Sequence, residues 1–225
     1  MARDRMIDQR EPEPAGLVAA EQPASGSGRR ERRAAETRLR LFRAALGLFA
    51  ERGFQNVKVE DITEAADVGK GTFFNYFPTK DHVLGVMAEI QLSRIHEAVH
   101  AAADGTMSTR ELLRSLALHL AEEPGRSPEL ARAVVSAFLA SDVVRNLLEG
   151  QMQKGRALVA KCVAQGKKRG EIDSALKKGV VALHFQQTMM GTILLWSLKG
   201  EPDLSTQVEE SFDHFWRAVA SARRG

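Results

Sequence analysis

Cysteine is almost absent: Cys162 is the only one in 225 residues. That excludes an intramolecular disulfide and a zinc site built on a cysteine pair, and gives Cys162 the part of a small buried hydrophobe in a reducing compartment. An uninterrupted apolar leader is missing too. The opening MARDRMIDQREPEP places charges where a secretory signal needs hydrocarbon, so a cytoplasmic chain is expected. Val180–Leu198 lacks Asp, Glu, Lys and Arg, but His184, Gln186, Gln187, Thr188 and Ser197 interrupt it, which favours a helix buried in protein over a membrane span. No alternating β-branched run is long enough for a strand, and no fixed-period repeat occurs. A nucleophile elbow, a zinc-binding histidine pair and a nucleotide loop are all missing, so an enzyme is not expected and no catalytic residue, metal ligand or cofactor is assigned. Gly69-Lys70-Gly71-Thr72 has the look of a phosphate loop, yet Glu64 stands where that loop needs its first glycine and no strand precedes it.

What is present is helical periodicity, which predicts an all-α chain. Residues 1–28 hold Pro12, Pro14, Pro23 and several glycines without apolar period and read as a disordered arm. Net charge is only +3, but Arg29, Arg30, Arg32, Arg33, Arg38, Arg40 and Arg43 face only Glu31 and Glu36 within one stretch. That local excess is either a phosphate-seeking footprint or a solvated basic helix start. Leu41, Phe42, Ala45, Leu48 and Phe49 then recur at three- and four-residue spacing up to Gly53. Further helices are expected at Val59–Ala66, Lys70–Phe77, 79–103, 109–122, 128–140, 142–169, 174–198 and 204–222, punctuated by Asp104-Gly105, Glu123-Pro124-Gly125, Gly170 and Gly200-Glu201-Pro202.

Two short helices joined by a three-residue turn behind a longer one form a helix-turn-helix, whose second helix enters the major groove. On a wheel of about 100° per residue with Phe73 at zero, Phe77 falls near 40° and Asn75 near 200°. Gly71 and Thr72 lie near 160° and 260°, with Phe74 and Tyr76 at the edges near 100° and 300°. Phe73 and Phe77 are therefore expected in the core and the small polar face outside. Asn can bond adenine twice, Thr offers a hydroxyl and a methyl, Gly71 permits close approach, and Tyr76 can bond a phosphate. The alternative is a plain aromatic core, although four aromatics on eight residues cannot all point inward.

Thr37-Arg38…Leu41-Phe42…Ala44-Ala45…Leu48-Phe49-Ala50-Glu51-Arg52-Gly53-Phe54, then Val59…Asp61-Ile62…Ala65-Ala66-Asp67-Val68, then Lys70 through Lys80 resemble the TetR family DNA-binding domain over about fifty positions. The resemblance implies that Thr72, Phe74, Asn75 and Tyr76 face DNA, that Lys80 meets a phosphate, and that Phe73 and Phe77 are core. Lys70 and Gly71 are placed with the DNA-facing set. Lys58 stands where the family usually has a Thr or Ser cap; a cation there opposes the helix dipole and is expected to be held by a phosphate. Asp67 and Gly69 look exchanged with the family's usual turn Gly and cap Ser. Phe74 replaces a common Tyr.

The resemblance further implies a dimer formed by the last two long helices and an inducer pocket between them and the middle helices. Residues 29–83 are thus expected to be the DNA-binding domain, with a linking helix at 79–103, and residues 104–225 an effector-binding and dimerisation domain. Phe212, Phe215, Trp216 and Val219 offer the final helix an apolar stripe. Phe138, Met152, Met189 and Trp196, with Met190, are pocket candidates whose alternative is plain core or dimer contact. His184 reads as a satisfied buried histidine. The expected partners are a double-stranded DNA operator, a second copy of the chain and an unidentified small-molecule effector. The expected function is a dimeric repressor released from its operator by that effector; an activator, or a DNA binder without an effector, is the alternative. Arg29–Arg33 is expected to be a minor-groove or phosphate-tracking arm, or else merely solvated.

Overall fold

The apolar face read at Leu41–Phe49 lies on α1 (Ser27–Arg52), where Leu41, Phe42, Ala45, Leu48 and Phe49 are all buried. The computed structural model describes residues 27–101 and 107–221. The arm expected at 1–28 thus falls almost wholly outside the described residues. Arg29–Arg33 is not an arm. It forms exposed turns at the start of α1, which begins at Ser27.

Gly53 ends α1 at φ 78°, a left-handed conformation that favours glycine, and a 3-10 turn follows at Phe54–Asn56. The chain continues with α2 (Val59–Ala65), α3 (Lys70–Tyr76), α4 (Asp81–Ala101), α5 (Thr109–Glu122), α6 (Pro128–Ala140), α7 (Asp142–Lys168), α8 (Lys178–Lys199) and α9 (Leu204–Val219). The fold is all-α, with no strand among the described residues. No helix among them is long and apolar enough to cross a membrane.

The starts of the later helices are written locally. The Ser108 hydroxyl accepts from Glu111 N–H while the Glu111 carboxylate accepts from Ser108 N–H, closing a capping box on α5. Ser127 caps α6 ahead of Pro128, Ser141 caps α7, and Asp203 caps α9. One expected boundary moves at each end of the C-terminal pair: α8 begins at Lys178 rather than 174, and α9 stops at Val219 rather than 222. The cause is tertiary. Asp173 N–H donates to Val219 C=O at 3.0 Å and Ser221 N–H to Glu171 C=O at 3.0 Å, so the two segments pair as an extended bridge at Ile172 and Ala220.

The apolar interior forms two clusters. The first joins α1, α2, α3 and the start of α4 to Leu130, Ala133 and Ala137 of α6 and to Val144 and Leu148 of α7. The second gathers α5, α8 and α9 with the C-terminal half of α7. Helix α4 belongs to both, with Ile90 in the first and Ile95 in the second. The N-terminal helices are therefore tied to α6 through α1 and the 3-10 turn at Phe54–Asn56. Cys162 is buried, and burial pushes its thiol up to about 11, which keeps it protonated and unreactive near neutral pH.

Candidate nucleic-acid interface and cavity

The turn between α2 and α3 is closed by Asp67 N–H to Glu64 C=O at 3.1 Å and Val68 N–H to Thr63 C=O at 3.0 Å. Its left-handed residue is Asp67, at φ 50°. A short polar side chain tolerates that conformation better than a branched one. Gly69, at φ −74° and ψ 153°, sits in ordinary extended backbone as the α3 N-cap and makes no side-chain capping bond. The exchange of Asp67 and Gly69 relative to the usual pattern is thus compatible with the turn, at the loss of one cap.

On α3 the wheel is reproduced. Phe73 and Phe77 are fully buried, their ring centroids 5.5 Å apart, and the Arg38 guanidinium lies 5.8 Å over the Phe77 ring. Burying each such ring contributes roughly 1.5–3 kcal/mol, which fixes the rotation of the helix. Gly71, Phe74 and Asn75 are then turned outward, and Phe74 is 53% exposed while resting edge-on against Phe73. Thr72 and Tyr76 are half-buried at the margins, with Tyr76 packed against the first core cluster. Neither the Asn75 amide nor the Tyr76 hydroxyl has a hydrogen-bond partner among the described residues. A side chain at Gly71 would meet open space, so its surface is accessible to a groove floor.

The cations divide. Lys58 is exposed, and its backbone N–H donates to the Asp61 carboxylate at 2.7 Å; the acidic Glu60 and Asp61 supply the first-turn charge that Lys58 cannot. Lys70 pairs with Glu60, tying α3 to α2, and this contact, more than any other, holds the Glu60 carboxyl below its ordinary value. The expectation for Lys80 is corrected. Its ammonium turns inward and donates to the carbonyls of Phe54 at 2.7 Å, Val57 at 2.8 Å and Gln55 at 3.3 Å, and it stands 4.6 Å from the Phe54 ring. All three donors are committed to the 3-10 turn ahead of α2, so Lys80 positions the reading unit instead of presenting a free charge. Burial also pushes the ammonium below its usual value. No sequence signal marked this role, because the carbonyls lie more than twenty residues earlier in the chain.

A second contact was invisible in the sequence. The Ser141 hydroxyl, between α6 and α7, donates to the Asp81 carboxylate at the start of α4 at 2.5 Å. Just before Ser141, Val134, Val135, Phe138 and Leu139 of α6 line a partly open cavity of about 390 Å³ bounded also by α4, α7 and α8. Its wall is overwhelmingly apolar, and its size is that of small-molecule sites. Phe138, Met152 and Met189 line it, as does Met190. Trp196 does not. Its indole N–H donates to Pro202 C=O at 2.8 Å, and the buried ring fills the α8–α9 corner. His184, expected to be buried, is exposed, because it falls on the outer face of α8.

Residues 41–87 match the family described as bacterial regulatory proteins, tetR family. The repressor DhaR of Mycobacterium sp. strain GP1 is 27% identical over 149 residues, covering 65% of this chain and 75% of its own. The regulator TcmR of Streptomyces glaucescens is 40% identical over 80 residues, 36% of this chain and 34% of the relative, so that match spans only about a third of TcmR. The Thermus thermophilus repressor FadR, solved in complex with lauroyl-CoA, superposes with a TM-score of 0.59 at 28% identity, covering 79% of this chain and 92% of that one. With the two-sided α3, the closed turn and these relatives together, residues 41–87 carry the DNA-binding domain of the tetR family of bacterial regulatory proteins, and the chain resembles transcriptional regulators of that family.

Proposed function

We propose that this chain is a repressor that binds an operator as a homodimer through α3 and leaves it when a small molecule enters the cavity. The carrying observation is the division of α3: two rings locked inward by packing, and Gly71, Phe74 and Asn75 presented outward with the Asn75 amide unpartnered. Thr72 and Tyr76 flank the base-reading set, Lys58 and Lys70 supply nearby charge, and the exposed arginines of Arg29–Arg43 extend a phosphate-facing surface along α1. In this division of labour α1 to α3 read DNA, α4 links and forms one wall of the effector cavity, and α5 to α9 supply the rest of the effector and partner surfaces.

The dimer reading is supported by α8. Val180, Leu183, Met190, Leu194 and Leu198, at spacings of three, seven, four and four, share one exposed face beside Leu195, and Leu195 and Leu198 are each 65% exposed. An apolar stripe of that length calls for a partner, and a second copy supplies an identical one. Two reading helices about 34–36 Å apart then fit successive major grooves. The effector reading is supported by the cavity wall on α6, which runs directly into Ser141 and its bond to Asp81 beside the reading unit. DhaR is a repressor and T. thermophilus FadR binds lauroyl-CoA, which agrees with this reading.

The test is an electrophoretic shift with the DNA upstream of the chain's own gene, alongside sedimentation. Wild type should shift it as a dimer, the Asn75→Ala/Tyr76→Ala protein should lose the shift, and Leu195→Lys/Leu198→Lys should sediment as a monomer. An unaltered shift in the first variant would overturn the assignment of α3.

A further inference from the structure

Among the described residues, the cavity wall carries one charged side chain, Arg156 of α7, and no carboxylate. Arg156 has no hydrogen-bond or ion-pair partner among the described residues. Two further wall groups are unsatisfied: the Oε1 atoms of Gln151 and Gln186 are buried and accept no hydrogen bond. The Gln186 amide nitrogen reaches only Met190 Sδ, at 3.9 Å, whereas the third wall glutamine, Gln91, donates to Leu120 C=O at 3.1 Å. Buried polar groups are normally paired, so an unpaired set gathered in one cavity describes what is to be bound there.

Their placement follows from α7. At about 100° per residue, Gln151, Gly155, Val159, Met152 and Arg156 span an arc of about 140° facing the cavity, with Gln151 at one edge and Arg156 at the other. About 7.5 Å of helix rise separates those two polar groups. Gly155, Val159 and Met152 form the apolar strip between them, continued across the cavity by Phe185 and Met189.

Resting on the reading of this cavity as the effector site, we propose that its ligand is an apolar acid. Its single anionic end pairs with the Arg156 guanidinium, its hydrocarbon body lies along Met152, Val159 and Phe185, and a hydroxyl or amide N–H on that body donates to Gln151 or Gln186. A guanidinium without a carboxylate favours an acceptor, above all an anionic one, and the two amide oxygens favour a donor. A cationic amphiphile satisfies neither Arg156 nor the charge balance of the wall.

Calorimetric titration of the full chain with decanoate, 3-hydroxydecanoate, decan-1-ol and decylamine tests this. Decanoate is expected to bind at least about tenfold more tightly than decan-1-ol or decylamine, and 3-hydroxydecanoate about threefold more tightly again. Arg156→Gln should bring decanoate to the affinity of decan-1-ol while leaving decan-1-ol itself unchanged, Arg156→Lys should keep the preference for the anion, and Gln151→Leu/Gln186→Leu should erase the gain from the hydroxyl. Decan-1-ol binding as tightly as decanoate, or decanoate unaffected by Arg156→Gln, overturns the proposal while leaving the cavity a binding site. Failure of all four probes to bind overturns the cavity reading as well.

Discussion

Replacing Lys80 with Met keeps the aliphatic stem and removes the ammonium, and so separates a turn-holding lysine from a phosphate contact. The ammonium donates to three backbone carbonyls, two at 2.7 and 2.8 Å and one at 3.3 Å, and sits over the Phe54 ring. A hydrogen bond from a charged donor contributes about 1.5–3 kcal/mol, and the ring contact about 0.5–1. Against this gross gain stand the desolvation already visible in the lowered Lys80 ammonium and the partial rehydration of the freed carbonyls. A net loss of about 2–3 kcal/mol remains, and for a chain of this size that lowers Tm by roughly 5–10 °C. Urea unfolding with calorimetry measures the loss. Operator affinity of the folded variant measured against salt completes the assay. A turn-holding Lys80 leaves the slope of log K against log [salt] unchanged, whereas loss of one phosphate contact per subunit reduces it by about 0.9 each. A variant as stable as wild type with a shallower salt slope would refute the reasoning and return Lys80 to the phosphate backbone.

Gly69→Ser should stabilise the protein by about 0.5–1 kcal/mol, since the site is extended, has room for a Cβ and lacks a cap, whereas Asp67→Val should cost about 1–2 kcal/mol at φ 50°; thermal unfolding of both decides it. The Ser141–Asp81 bond should give a coupling energy of about 0.5–1.5 kcal/mol in a double-mutant cycle of Ser141→Ala and Asp81→Ala, and a value near zero would remove it as a tie between α6 and α4. The Asp203 carboxyl, bonded by the Ser205 and Thr206 hydroxyls and by Thr206 N–H, is lowered from 3.8 to about 2. Its contribution is therefore full above pH 3.8 and lost as pH falls towards 2, so Asp203→Asn should flatten the acid slope of stability across that window in urea titrations.

The local code and the tertiary contacts divide this protein between them. Three- and four-residue spacing, Ser and Asp caps and Gly53 or Gly200 stops determine where helices lie, and α5 and α6 fall where those signals put them. The inward turn of Phe73 and Phe77 is likewise legible, because one wheel leaves no other way to bury two rings four residues apart. Period says nothing about partners distant in the chain. The late start of α8 and early stop of α9 depend on a bridge between Ile172 and Ala220, and Lys80 finds its carbonyls more than twenty residues earlier. Trp196 looked like a cavity residue by type, yet the α8–α9 corner took its indole N–H. Arg156 carried no motif at all and becomes notable only when folding places it, without a carboxylate, in the wall of an apolar cavity. Sequence alone thus determined the all-α frame and the reading helix, since both follow from short-range periodicity. Only the tertiary structure decided which cations are free and what the cavity presents, since pairing and burial are properties of neighbours brought together by the fold.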